Sequence, residues 1–206
     1  MGADFDARKA IGSLAENLLS DLLTDTGAKV IRHQQNFDAT RDWSSAAVAY
    51  AEGDRELHIP DLESWWPRRG PHSRCFLEAK AKKPLNLGGW GWDAHAFNRA
   101  LRWMQESATP TYYAIRNTAD VPLPPNPRPA ELRDDPDLWS IASVWKLARS
   151  ENRFFKRGPN GDFFTWPESD FTPLRVLLAG DFALQPVPYF PRDLVGEPPL
   201  RVPRLL

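Results

Sequence analysis

The chain has a single cysteine, Cys75, in 206 residues. An intramolecular disulfide framework and a Cys-rich cluster site are therefore both excluded. It also lacks a charge imbalance: 26 Lys and Arg stand against 27 Asp and Glu, a net charge of -1. No global basic field draws nucleic acid to it, so any such contact has to come from a local patch. No apolar run is long enough to span a membrane and no signal-peptide pattern opens the chain, which predicts a cytoplasmic protein without membrane partners. No glycine-rich loop opens a helix, so the phosphate cradle of a nucleotide-hydrolysing motor is missing. The four histidines, His33, His58, His72 and His95, together with Cys75 offer no pair at zinc-ligand spacing on a predicted helix or knuckle. Internal repeats and low-complexity tracts are absent as well.

What is present is an ordinary globular composition, 42% hydrophobic and 26% charged, in a chain long enough to bury one sizeable core. Proline, at 20, and tryptophan, at 9, are abundant. The prolines gather in the second half and predict extended connecting segments there. From Trp66 to Lys83 runs a local basic patch, Arg68, Arg69, Arg74, Lys80, Lys82 and Lys83 against one acid, Glu78.

The stretch from Leu57 to Lys83 organises the rest. It holds Pro60-Asp61, a Trp- and Arg-rich insert, and an apolar strand carrying Glu78-Ala79-Lys80. Strand side chains alternate, so Phe76, Glu78, Lys80 and Lys82 share one face while Leu77, Ala79 and Ala81 share the other. If a strand ending in Asp61 pairs with it as a hairpin partner, two carboxylates and an ammonium converge. Those groups suit a divalent-cation site with a built-in base or water-positioning group.

In chain order, Asp6 to Thr26 reads as an amphipathic helix with Gly27 as its C-cap. Ile11, Gly12, Leu14, Ala15, Leu18, Leu19, Leu22 and Leu23 fill one half of the wheel, and Glu16 lies at its margin. Gly12 is placed to let the helix approach a sheet closely. Ala28 to Asn36 reads as a strand, Phe37 to Gly53 is ambiguous, and Leu57 to Leu62 reads as the strand that ends near Asp61, since Pro60 suits a strand terminus. Within Glu63 to Arg74, the residues Trp65, Trp66, Arg68 and Arg69 have the flat faces and guanidinium groups that grip nucleic acid, or else pack on the sheet. Gly88 to Trp92 is either a mobile aromatic loop or a turn whose tryptophans are core. Trp92 to Ser107 returns to helical spacing, with Ala94, Phe97, Leu101 and Met104 on one stripe and His95, Asn98, Arg102 and Gln105 beside it. Pro110 to Ile115 is a further strand.

Pro60-Asp61 followed by Glu78-x-Lys80, with Gly12-x-x-x-Glu16 upstream, resembles the signature of the PD-(D/E)xK nuclease superfamily. That superfamily includes restriction-endonuclease-like enzymes and archaeal Holliday junction resolvases. The predicted order of helix, strand, Pro-Asp strand, Glu-x-Lys strand, helix and strand from about Ala10 to Asn117 is similar to the family's αβββαβ core. The resemblance implies an α/β restriction-endonuclease-like fold, a mixed central sheet flanked by helices. It implies Mg²⁺ or Mn²⁺ held by Asp61, Glu78 and the Ala79 carbonyl with Glu16 completing the shell, and Lys80 orienting or deprotonating water. Lys82 is the alternative lysine. Phosphodiester hydrolysis in DNA, with pairing of two copies as in many relatives, is the implied activity. His95 or Asn98 is the implied accessory residue, and Lys82, Lys83, Arg99 and Arg102 are implied phosphate contacts. The competing reading is a nuclease-fold module that binds nucleic acid or protein without turnover.

The sequence divides into a nuclease-like core over 1–118, a Pro-rich connector over 119–137 and a C-terminal β extension over 138–206 packed on the core. Val121 to Pro136 contains six prolines. Leu138 to Leu147 reads as strand or short helix, Gly158-Pro159-Asn160-Gly161 as a hairpin turn, and Leu174 to Leu178 as an apolar run. From Gln185 on, a proline-rich tail wraps the domain or reaches a partner.

Overall fold

The computed structural model describes residues 2–33, 59–69, 74–86, 88–119, 121–123, 134–158 and 161–179, with side chains from Ala10 onward and without that of Arg69. The expectations for Phe37 to Gly53 and for the tail from Gln185 lie outside these residues. Helix α1, Gly2–Asp25, is longer at its start than its periodicity predicts. It ends as expected: Gly27 takes φ of +83° and donates to the Thr24 carbonyl at 2.8 Å. Ala15, Leu18, Leu19 and Leu23 are buried, with Ile11, Leu14 and Leu22 packed at their margin. Gly12 does not serve close approach, because a methyl group there would meet nothing within 4 Å.

The main sheet has the order β1-β2-β3-β5-β6-β9. Strand β1 is Lys29–Arg32, β2 Leu62–Trp65 and β3 Cys75–Lys82, successive antiparallel neighbours. Asp61 therefore stands at the start of β2, not at the end of a strand over 57–62, and Glu63 to Trp65 belong to the sheet. A proline just before the first ladder residue removes no sheet donor, so Pro60 is accommodated at this end instead of the other. Strand β5, Thr111–Asn117, runs parallel to β3 and needs a crossover, which helix α2, Ala94–Ser107, provides. Among the described residues the expected αβββαβ order is the observed one, with a short strand, β4 (Trp90–Asp93), inserted before α2.

Beyond it, β6 (Trp139–Ser143) and β9 (Thr172–Pro173) extend the same sheet antiparallel. Leu138 to Leu147 proves to be both readings in succession, since α3, Val144–Arg149, follows β6. The hairpin expected around Gly158 and Gly161 is formed by β7 (Phe154–Gly158) and β8 (Gly161–Trp166), with Gly158 opposite Gly161. With β4 it makes a second sheet, β4-β8-β7. The tryptophans of Gly88 to Trp92 are core: Trp90 and Trp92 lie buried on that sheet. Helix α4, Leu174–Leu178, closes the described chain.

A mixed central sheet flanked by helices is thus formed. One core joins α1 and α4 to Leu62, Cys75, Leu77, Ala79, Tyr112 and Ala114 on one face. The other joins α2, α3 and the second sheet to Tyr113 and Ile115 on the opposite face. No described helix is long and apolar enough to cross a membrane.

Candidate active site

Leu62 pairs with Leu77 across β2 and β3, so the next register position sets Asp61 opposite Glu78. Asp61 Oδ2 accepts from the Ala79 backbone N–H at 2.9 Å and from Lys80 Nζ at 3.2 Å. Lys80 Nζ also reaches Glu78 Oε1 at 2.7 Å. The ammonium therefore bridges two carboxylates, one of them, Glu78, only 2% exposed. Alternation of β3 creates this: Leu77 and Ala79 go under α1 while Glu78 and Lys80 turn to the other face.

Glu16 on α1 stands beside the cluster, with Arg32 Nη2 3.8 Å from its carboxylate. Burial, and then the charge of Asp61, push its carboxyl up from 4.5 to about 7. Asp61 is also pushed upward, by burial and by Glu78, while Lys80 and the Ala79 N–H pull it back. Burial works against the Lys80 ammonium, but Glu78 and Asp61 outweigh it and hold the amine protonated far above its usual range. Lys82 is the reverse case: burial and the neighbouring Lys80 charge bring it down to about 8. The two lysines on one face thus differ: Lys80 is held as a cation, while Lys82 gives up its proton closer to neutral pH than a free lysine does.

Among the described residues, no three of His, Cys, Asp and Glu stand close enough together to share a metal ion. The full shell of Glu16, Asp61 and Glu78 is not assembled, and Lys80 supplies the compensating charge. A buried carboxylate, Glu78, beside a part-buried one, Asp61, whose carboxyl it pushes upward, still matches what Mg²⁺ requires. This ion takes one or two carboxylates and keeps several waters.

The expected nucleic-acid contacts divide. Trp66 is 2% exposed, part of the core under α1, and its indole N–H donates to Thr26 Oγ1 at 2.9 Å, so packing replaces the expected contact. Trp65 is half-buried, and Arg68, Lys83 and Arg102 are exposed, with Arg99 half-buried on α2. His95 and Asn98 are exposed on α2. Arg74 is not a free member of the basic patch: Glu63 accepts from it at 2.6 Å, a pairing hidden while Glu63 is read as part of a connector.

Two further residues border the cluster. His33 donates its backbone N–H to the Asp61 carbonyl at 2.8 Å and sets its ring 3.4 Å from Glu63. Tyr113 lies beside Glu78 in the parallel register, stacks on Trp92 at 3.9 Å and donates to the Gly91 carbonyl at 3.0 Å. The β-rich run signals Tyr113 as a strand residue, but its place beside Glu78 depends on a crossover register that no local pattern encodes.

No family model and no curated protein matches the chain. Among solved structures it is similar to Archaeoglobus fulgidus Hjc, a Holliday junction resolvase from an archaeal hyperthermophile. The identity is 17% and the TM-score 0.47, over 81% of this chain and 99% of that one.

Proposed function

We propose that this protein is a metal-dependent nuclease that hydrolyses phosphodiester bonds in DNA with a water molecule. The observation that carries the reading is the Asp61–Lys80–Glu78 bridge, with Lys80 Nζ 3.2 Å and 2.7 Å from the two carboxylates. Asp61, Glu78 and the Ala79 carbonyl would hold Mg²⁺ or Mn²⁺ with water in the remaining positions and Glu16 outside them. A bound ion of this kind supplies Lewis acidity at phosphoryl oxygens and acidifies a coordinated water.

The chain's own residues do the rest. Lys80, held as an ammonium between two acids, offsets charge building on the phosphoryl oxygens and orients the attacking water. Lys82, near 8, is the amine able to exchange a proton close to neutral pH. Water oxygen bonds to phosphorus while the P–O bond to the 3′ oxygen breaks, leaving 5′-phosphate and 3′-hydroxyl ends. Arg68, Arg69, Lys83, Arg99, Arg102 and Trp65 are proposed to position the backbone by charge and contact, the part of recognition that carries no sequence information.

The test is incubation with linear, flapped, four-way and single-stranded DNAs in Mg²⁺ or Mn²⁺, with chelator and with the Lys80→Ala variant as controls. Cleavage of at least one substrate that needs both cation and Lys80 supports the reading. Binding without cleavage in every case would make the protein a module without turnover.

A further inference from the structure

The second sheet has a face that belongs to neither core, exposed at Phe154 and Lys156, half-buried at Phe163 and buried at Thr165. Register fixes its members: Phe154 opposite Thr165, Lys156 opposite Phe163, and on β4 Gly91 opposite Thr165 and Asp93 opposite Phe163. Directly opposed residues share a face, so Phe154, Lys156, Phe163, Thr165, Gly91 and Asp93 all point away from the core that holds Phe164 and Trp166. Phe154 is 64% exposed, the most exposed large apolar side chain described.

Glycines shape this face. A methyl group at Gly158 would stand 3.1 Å from Phe163 Cε1, and one at Gly91 would stand 3.6 Å from Phe163 Cδ2. The Phe163 ring therefore lies flat across the sheet, over positions on both neighbouring strands where a side chain would otherwise stand. The face carries one exposed ammonium, Lys156, and one exposed carboxylate, Asp93. Asp93 is held at the far end of the face from Phe154, its Oδ1 accepting from the Ala96 N–H at the start of α2. Asp162 faces the other way, opposite Arg157.

The face is also continuous with the acid cluster. Lys82 Nζ donates to the Gly91 carbonyl, which also accepts from Tyr113, the residue beside Glu78.

We propose that this face is a stacking platform for unpaired nucleotides, with bases on Phe154 and Phe163, phosphates near Lys156 and Lys82, and the strand continuing to the Asp61–Glu78–Lys80 cluster. Aromatic faces flanked by cations take any base, since every base has a π-face, and a duplex would keep its bases stacked on each other. The proposal deepens the nuclease reading and rests on it: the substrate would carry a single-stranded portion beside the scissile bond.

Fluorescence anisotropy of the full chain with labelled oligo-dT and with a blunt duplex, both in chelator so that nothing is cut, provides the test. Phe154→Ala, an exposed position that does not endanger the fold, is expected to weaken oligo-dT binding about tenfold while duplex binding holds, and Phe154→Trp to restore it. Phe163→Ala should act in the same direction. Oligo-dT affinity unchanged in both alanine variants, or no oligo-dT binding by the parent, overturns the platform. So does a change in oligomeric state of Phe154→Ala by light scattering with oligo-dT affinity intact, which would make the face a contact between copies. Loss of oligo-dT binding in Phe154→Ala from a parent that cuts nothing would leave the platform and remove the nuclease. Lys80-dependent cleavage with oligo-dT binding indifferent to Phe154 would do the opposite.

Discussion

Lys80 separates two acids that would otherwise face each other unshielded, and consequences follow for each residue of the group. Removing Lys80 leaves Asp61 and Glu78 buried without their cation, so Lys80→Ala should lower the melting temperature as well as activity, unless Mg²⁺ is added to take its place. Asp61→Asn behaves differently, because the amide oxygen can still accept from Ala79 while the repulsion with Glu78 disappears. Its expected signature is cleavage reduced about a hundredfold or more with thermal stability equal to or above the parent's, read by a cleavage assay and calorimetry on one sample. Glu16 gives a pH signature. Its carboxyl holds its proton more tightly folded than unfolded, so its contribution to stability is present below 4.5 and is lost as pH rises through about 7. A melting series across that window should show the decline, Glu16→Gln should flatten it, and Mg²⁺ should offset it at the upper end if Glu16 stands beside a cation.

The elements that hold these residues were legible to different degrees. Leucine spacing and a terminal glycine give α1 away, and alternation gives β3 and its two faces, because both signals are local. The sequence pattern puts Asp61 at the wrong end of its strand, because Pro60 fits just before a first ladder residue as well as near a last one. Trp66 was ambiguous for a different reason, as an indole beside two arginines reads alike whether it stacks on a base or on a helix. The structure places it between β2 and α1, so Trp66→Ala should destabilise the fold by about 3–5 kcal/mol in denaturant melts, with DNA affinity per folded molecule unchanged. Gly89 marks the entry to β4, which no periodicity revealed. It holds φ of +91°, and a methyl group there would stand 2.1 Å from the Trp166 carbonyl oxygen. Gly89→Ala should therefore cost more than about 1 kcal/mol and loosen β4 from β8, visible as faster amide exchange at Trp90 and Trp92.

At the scale of the molecule, the central sheet brings Asp61, Glu78 and Lys80 together with Glu16 of α1 beside them, and the second sheet is joined to that place through Lys82, Tyr113 and Gly91. With a net charge of -1 overall, contact with DNA falls to exposed cations such as Arg68, Lys83 and Arg102, so binding should weaken steeply with salt while melting hardly changes. The role proposed for the Asp61–Glu78–Lys80 group is to break phosphodiester bonds with a divalent cation. The most direct measurement is the initial cleavage rate of a labelled DNA substrate by the parent, Asp61→Asn and Lys80→Ala, each shown to be folded, in Mg²⁺ and in chelator. Cleavage by the parent in Mg²⁺ alone, with both variants slowed about a hundredfold or more, is the predicted result. Equal rates in all three proteins, or cleavage that persists in chelator, would contradict it.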